Sequence, residues 1–393
     1  MVVYLDANAT EPLRPEARAA MLAALDTTGN PSSVHQPGRA ARKLLEDARE
    51  TLARQFDARE ADVIFTSGGT EANALAIHAF GQGRRVIIGA TEHDAVRAAA
   101  RDAAIVPVNR DGVIELDALQ TMLAANPASL VCLMLANNET GTLQPVAEAA
   151  QLARAYGAHL HVDAVQAAGR IPLSLTTVMA HSLVVSSHKL GGPIGAGALL
   201  LSPDCAPLSP LIAGGGQERG RRGGTPAVSI IVGFAAACVA ANGGRKGLIA
   251  NGAGGIVVEA HEGHVAAGVT AVRLRALRDR VEAAALAHGA VVCGAGAHRL
   301  TNTVCLALPG VRADAQVMSL DLDGVAVSAG AACSSGKVAR SHVLAAMGLG
   351  ALAGQAIRVS LPWNASAADI DVFKAAYARM AERLPPALAT QAA

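Results

Sequence analysis

Between about residues 60 and 235 the chain alternates short β-branched or apolar runs with Ala-rich stretches of helical period. That alternation is the signature of βα units around a mostly parallel sheet. Strands are predicted at Val63 to Thr66, Val86 to Ala90, Leu130 to Ala136, Leu160 to Asp163 and Leu183 to Ser186, with helices at Thr70 to Phe80, Leu116 to Ala125 and Val146 to Tyr156 between them. Parallel sheets bind ligands beyond the carboxyl ends of their strands, so the polar residues that follow these runs are the first candidates for chemistry. Beyond about residue 270 the pattern changes to an amphipathic helix, Val272 to Ala287, then strands near Thr303 to Leu308 and Val325 to Ser328, then helices. This is the pattern of a smaller α+β domain. The expected partition is a large α/β domain over residues 12–245 and a small domain made of residues 1–11 and 269–393. Between them Asn242 to Gly268 is Gly- and Ala-rich with little periodicity, and reads as an excursion or linker.

Composition narrows the function classes. Lys+Arg 33 against Asp+Glu 32 gives a formal net charge of +1, which supplies no electrostatic footprint for nucleic acid or anionic lipid. The mean hydropathy of +0.33 is high. The excess comes from Ala and Val scattered among charged residues, and no uncharged apolar run approaches the roughly 20 residues that cross a bilayer. The start, MVVYLDANAT, has no charged n-region followed by an apolar stretch, so a cytoplasmic location is expected, with the six cysteines reduced. They form no CxxC pair and no His/Cys group at zinc spacing, so neither a disulfide framework nor a permanent metal site is expected.

Three polar segments stand at strand ends. Thr66-Ser67-Gly68-Gly69-Thr70-Glu71-Ala72-Asn73 follows a strand and opens a helix. Its small residues let backbone N–H groups approach an anion, Thr70 adds a hydroxyl, and the helix N-terminus favours negative charge, so it reads as a phosphate cradle. His161-Val162-Asp163-Ala164-Val165-Gln166 puts an acid at the end of a buried strand, where it can pair with a protonated ring nitrogen of the kind pyridoxal phosphate uses as an electron sink. Ser186-Ser187-His188-Lys189-Leu190-Gly191-Gly192 puts a lysine at the end of another, placed to form a Schiff base. Singly, each has a plainer reading: a Gly-rich turn, a helix N-cap, a solvated surface lysine. In this order within one α/β domain, the three together point to a pyridoxal-phosphate site.

With these motifs the sequence resembles the class-V, aminotransferase-like pyridoxal-phosphate enzymes, and among them the cysteine desulfurases of the NifS and IscS kind. The resemblance runs from Tyr4-Leu5-Asp6-Ala7-Asn8-Ala9-Thr10 through Asn30-Pro31-Ser32-Ser33, Thr91-Glu92-His93, Asn137-Asn138-Glu139, Gly214-Gly215-Gly216-Gln217-Glu218-Arg219 and Arg222-Gly223-Gly224-Thr225 to Ile357-Arg358-Val359-Ser360-Leu361. It implies the fold type I architecture of such enzymes. It implies that Lys189 holds the cofactor as a Schiff base, that Asp163 pairs with the pyridine nitrogen and that His93 stacks on the ring. Asn138 and Gln166 would contact the ring oxygen, and Gly69, Thr70, Ser186 and His188 the phosphate. Thr225 matches a residue that reaches the phosphate of the neighbouring subunit, which implies a homodimer. Arg358 would clamp the substrate carboxylate, with Asn30 and Asn138 beside it.

Cys333 lies in Val327-Ser328-Ala329-Gly330-Ala331-Ala332-Cys333-Ser334-Ser335-Gly336, a run of small residues that suits a loop. Cys132 and Cys305, in apolar strands, fit the usual buried and inert cysteine. An exposed thiol that ionises is what a nucleophile needs, and the resemblance makes Cys333 the acceptor of the sulfur of L-cysteine, leaving L-alanine and a persulfide. The implied partner is a sulfur acceptor or iron-sulfur scaffold protein, at which Cys333 would touch iron transiently; no direct nucleic-acid or membrane partner is implied. The alternatives on the same fold are a selenocysteine lyase or another β-eliminating lyase, and, in a different class, a non-catalytic iron-sulfur assembly scaffold. The sequence departs from the family pattern at Arg340, where relatives more often have proline, at Pro193-Ile194-Gly195, where a basic residue often follows the proline, and at Asn242 to Gly268, which is longer and Gly-rich where a bridging helix is expected.

Overall fold

The structure is a computed structural model and describes residues 2–205, 207–243, 247–250, 256–259, 264–330 and 340–384. Among these residues the largest sheet has seven strands, in the spatial order Val63–Thr66, Gly197–Leu201, Ser182–Ser186, His159–Asp163, Leu130–Met134, Val86–Gly89 and Ala104–Val106. The last five strands in that order run parallel, and Gly197–Leu201 is antiparallel to both of its neighbours. Val63–Thr66 therefore points the same way as the parallel strands, and six carboxyl ends meet at one edge of the sheet. Leu130–Met134, His159–Asp163 and Ser182–Ser186 are buried at every position; Leu130–Met134 accordingly reads as a continuous apolar run, whereas His159–Asp163 buries two histidines and an aspartate.

Sequence expectation and structure agree on this scaffold and differ at its margins. The helices at Gly69–Gly81, Leu116–Ala125 and Val146–Ala155 stand where the periodicity puts them. Two strands of the seven-stranded sheet were not expected. Gly197–Leu201 reads GALLL, an Ala/Leu composition without β-branched residues, and Ala104–Val106 is only three residues long at the sheet edge. The predicted strand from Val325 to Ser328 is split: Val325–Ala326 pairs with Val3–Tyr4, and Ser328–Ala329 pairs with the strand Ala356–Ser360, so the chain changes partners at Val327.

The second unit holds a four-stranded sheet, Val291–Cys293, Thr303–Ala307, Ala356–Ser360 and Ser328–Ala329, backed by the helices His264–Leu286 and Ala367–Arg383. Its core of Leu5, Val281, Leu306, Ile357, Phe373 and Tyr377 includes a residue from the N-terminal segment. The Gly-rich stretch, expected as an excursion or linker, contains strand pairing. Gly247–Ala250 and Ile256–Glu259 pair antiparallel, and the helix that was expected from Val272 begins at His264. The two strands, GLIA and IVVE, are only four residues long and stand among glycines and alanines, so they escape a pattern search. Among the described residues no helix is long and apolar enough to cross a membrane.

A column of rings closes the amino-terminal end of the large sheet. His159 is stacked between Phe80 at 4.3 Å and His181 at 4.4 Å, and burial, with the neighbouring His181 and His161, pushes its pKa down to about 2. Below the ordinary histidine value near 6.5 the unfolded chain takes up a proton that folded His159 refuses. Its contribution is therefore fully present above pH 6.5 and is lost as pH falls. Between pH 6.5 and 4.5 the urea stability of the wild type should fall relative to that of His159→Phe, which keeps the stack, by about 1.4 kcal/mol per pH unit. Parallel curves for the two proteins would show that His159 titrates normally.

Candidate active site

The strand ends enclose a cleft of about 420 Å³. Gly69, Thr70, His93, Asn138, Asp163, Gln166, Ser186, His188, Lys189 and Arg358 all line it, although they span almost 290 positions of sequence. Asn30 and Thr225 do not line it: Asn30 is exposed and its Oδ1 accepts from Ser32 N, while Thr225 is exposed in a neighbouring depression with Ser67 and Arg222. Cys333 lies outside the described residues, three positions after Gly330, which lines the cleft.

One wall is the N-terminus of the helix Gly69–Gly81. The first turn of a helix has N–H groups without intrahelical acceptors, and here they open on the cleft. Close packing requires glycine at this turn: a Cβ on Gly69 would lie 2.7 Å from Val165 Cγ2, and one on Gly197 would lie 2.6 Å from the Gly68 carbonyl carbon. A Cβ on Gly68 would meet nothing within 4 Å. The turn is thus packed on its inner side and open on its outer side, as a backbone cradle must be. Glu71 accepts from Ser67 Oγ at 2.5 Å and from Arg222 Nε at 2.8 Å. Burial raises the Glu71 pKa, but the bonds from Arg222 and Ser67 outweigh it and the net shift is downward. The Glu71 charge is thereby neutralised next to the place where an anion would sit.

The opposite wall carries the acid and the lysine. Asp163 Oδ2 accepts from Asn73 Nδ2 at 2.8 Å and Oδ1 from Val165 N at 3.0 Å. Lys189 stands at the end of the turn Ser187–Lys189, and its Nζ donates to the carbonyls of Asn8 at 2.7 Å and Ala9 at 3.0 Å. Gln166 Nε2 also donates to Asn8 O, at 2.9 Å. Next to the lysine, His188 has its pKa lowered to about 4 by burial and by the Lys189 charge, so it stays neutral near pH 7. His93 caps the short helix Asp94–Arg97, its Nδ1 accepting from Ala95 N at 3.1 Å. The cap and a catalytic role are compatible here, because a bond accepted at Nδ1 puts the proton of the neutral ring on Nε2.

Arg358 reaches the cleft from the small sheet. It meets Asp6 Oδ1 at 2.6 Å and Asn138 O at 3.2 Å, and its buried Nε has no hydrogen-bond partner among the described residues. An orphaned donor on a guanidinium is a place for a carboxylate. Under it Glu139 is buried and accepts from Ser341 Oγ at 2.5 Å; burial, only partly offset by that bond and by Arg358, raises its pKa to about 7. Asn8, Asn73, His161 and Glu139 hold this constellation together, yet none of them has a role in the sequence analysis. Each stands inside one of the motifs quoted above, and that proximity was the available signal.

An anion cradle on a helix N-terminus, a strand-end carboxylate and a strand-end lysine fit pyridoxal phosphate. They would hold respectively its phosphate, its ring nitrogen and its aldehyde carbon. Together with the seven-stranded sheet they define an aminotransferase-like pyridoxal-phosphate fold. The family model described as aminotransferase class-V matches residues 3–246. A cysteine desulfurase of Cereibacter sphaeroides is 42% identical, the match covering 98% of this chain and 95% of that one. An IscS-like cysteine desulfurase of Mycobacterium tuberculosis is 38% identical over 94% of each chain. The crystal structure of a NifS-like protein from Rickettsia africae superposes with a TM-score of 0.85 at 30% identity, covering 97% of this chain and 100% of that one. The chain belongs to the class-V aminotransferase family and, within it, to the cysteine desulfurases of the NifS and IscS kind.

The loop carrying Thr225 is held by a buried ion pair. Arg49 forks onto Glu218 at 2.7 and 2.8 Å, and Glu218 also accepts from Phe65 N at 2.9 Å. Glu218 and its neighbour Arg219 hold left-handed backbone angles, φ 48° and 58°, a strained state that persists only where surroundings enforce it. Glu218→Ala leaves the buried Arg49 guanidinium only the half-exposed Glu46 and the Val63 carbonyl and should cost about 2–4 kcal/mol, below the full loss for an uncompensated buried charge, measured by urea denaturation. Arg49→Ala combined with Glu218→Ala should recover part of that loss; a loss of less than about 1 kcal/mol in the single variant would mean that water replaces the carboxylate.

Proposed function

We propose that this chain is a homodimeric, cytoplasmic cysteine desulfurase that takes the sulfur of L-cysteine onto Cys333, releases L-alanine, and passes the sulfur to an acceptor protein of iron-sulfur cluster assembly. The observation that carries the reading is the convergence on one cleft of Lys189, Asp163 and His93, from strand ends and turns of the large sheet, and Arg358, from the middle of a strand of the small one. The family relationship supports the cofactor and the substrate class. Exposure of Thr225 outside its own cleft supports a role toward a second subunit.

When bound, pyridoxal phosphate withdraws electrons from the substrate α-carbon. Lys189 would carry the cofactor covalently, the carbonyls of Asn8 and Ala9 fixing the amine at the strand end. Asp163, braced on both oxygens, would meet the ring nitrogen. His93, with its proton on Nε2, would lie against the ring face. Arg358 would pair its orphaned Nε and an adjacent N–H with the substrate carboxylate, orienting the side chain that carries sulfur. Lys189, its amine positioned beside the Asn8 and Ala9 carbonyls, would hold and move the substrate α-proton. The Cys333 thiolate then attacks the substrate sulfur: a Cys333–sulfur bond forms, the carbon–sulfur bond breaks, and protonation of the carbon leaves alanine.

Alanine and sulfide production from L-cysteine with a thiol reductant tests the assignment. The wild type should be yellow and active, Lys189→Ala should lose the covalent chromophore and the activity, and Cys333→Ala should stay yellow and make no alanine. A fully active Cys333→Ala protein would mean that sulfur leaves by β-elimination, and a wild type that stays colourless and inert with added cofactor would leave the scaffold reading. Arg358→Ala should raise KM for cysteine about 10- to 100-fold, the loss of a charge-assisted pair, while the absorbance of the bound cofactor stays in place.

A further inference from the structure

Asp163 is braced by a buried chain of polar groups that runs from Ser182 through His161 and Asn73. The Ser182 Oγ to His161 Nδ1 distance is 2.8 Å, His161 Nε2 to Asn73 Oδ1 is 2.9 Å, and Asn73 Nδ2 to Asp163 Oδ2 is 2.8 Å. His161 and Ser182 have no exposed surface and Asn73 is 1% exposed.

The chemistry of these groups allows one arrangement of hydrogens. An ionised carboxylate only accepts, so Asn73 must turn its amide N–H toward Asp163. Its carbonyl then faces His161, which must hold its proton on Nε2. The bare Nδ1 must accept, so Ser182 must donate. Turning the Asn73 amide over would set its oxygen against the carboxylate, a repulsion that no change of His161 tautomer relieves. Burial holds the His161 pKa near 3, so the ring stays neutral, and the chain intact, throughout the working pH range.

Placement gives the chain a purpose. Asn73 stands one turn after Thr70 on the helix whose N-terminus forms the anion cradle, and residues three apart lie on one helix face. His161 and Asp163 alternate along one strand and therefore share a sheet face. One helix turn thus sets the separation between the phosphate end of the site and its ring-nitrogen end. We propose that Asn73 and His161 are positioning residues that fix the orientation of the Asp163 carboxylate toward the cofactor ring nitrogen, with Ser182 setting the direction of the chain. The proposal rests on the reading that Asp163 meets that nitrogen.

The test reads cofactor binding and hydrogen placement. Apoprotein of the wild type, Asp163→Asn, Asn73→Ala, His161→Leu and His161→Gln is titrated with pyridoxal phosphate, following fluorescence and the pH midpoint of the visible absorbance of the bound form. Asn73→Ala and His161→Leu should weaken binding roughly 10- to 100-fold, the range typical of groups that orient a ligand-holding side chain, and should move the midpoint in the same direction as Asp163→Asn. His161→Gln, which restores an N–H donor, should fall between His161→Leu and the wild type. Nitrogen NMR of histidine-labelled wild type should find His161 neutral with its proton on Nε2 from pH 5 to 9.

If Asp163→Asn moves both readouts while folded Asn73→Ala moves neither, the chain is core packing and the proposal falls. A proton on Nδ1 of His161 overturns it too, even where the His161 variants fail to fold. If Asp163→Asn itself changes nothing, the reading of the site fails first.

Discussion

The active-site geometry depends on the threading of residues 6–10 between the two halves of the molecule. Asn8 is 1% exposed, and almost every polar atom it owns is committed. Its N–H donates to Ser360 Oγ, its Nδ2 to Thr303 Oγ1 and to the Asn138 carbonyl. Its carbonyl accepts from Lys189 and Gln166, and its Oδ1 from Arg170. Ser360 and Thr303 belong to the four-stranded sheet, whereas Lys189 and Gln166 follow strands of the seven-stranded one. One residue therefore sets Lys189 and Arg358 in a common frame. A buried amide whose partners come from both sheets cannot be satisfied by either alone.

The same economy recurs along the strand ends. Arg170 donates to Asn8 and Gln166 at 2.7 and 2.6 Å and pairs with Glu11 at 3.0 Å, so the turn after Asp163 is tied to the segment that grips Lys189. Asp6 accepts from Arg358 and from Ser328, the residue opposite Arg358 in the sheet. Charges brought to the cleft are thus partnered on the side away from it, which lets them stay charged in a buried place and leaves specific donors, such as Arg358 Nε, for a ligand.

Much of this was legible in the sequence, and the reason is physical. Parallel strands buried on both faces are rich in apolar residues, so a polar and small cluster such as Ser186 to Lys189 after Leu183–Val185 breaks the pattern and marks the strand's carboxyl terminus. The order of those breaks along the chain gave the fold class and most of the cleft. What the pattern hid has little contrast: Gly197–Leu201 is a strand of alanine and leucine without β-branched residues, and Gly247–Ala250 and Ile256–Glu259 are four-residue strands set in a Gly- and Ala-rich stretch. The sheet switch at Val327 is set by which edge lies free, a tertiary fact.

The bracing residues were hidden for a different reason. Asn73 sits at a position of a helix where an apolar residue would serve packing equally well, and His161 at an interior strand position where valine would. Nothing local explains two polar side chains there. Only when the two meet, and Asp163 is found at the end of the line, does each polar group acquire its partner. A buried polar residue next to a motif is therefore informative before its role is known, because a folded chain tolerates the cost of burying it only where another group needs its hydrogen bond.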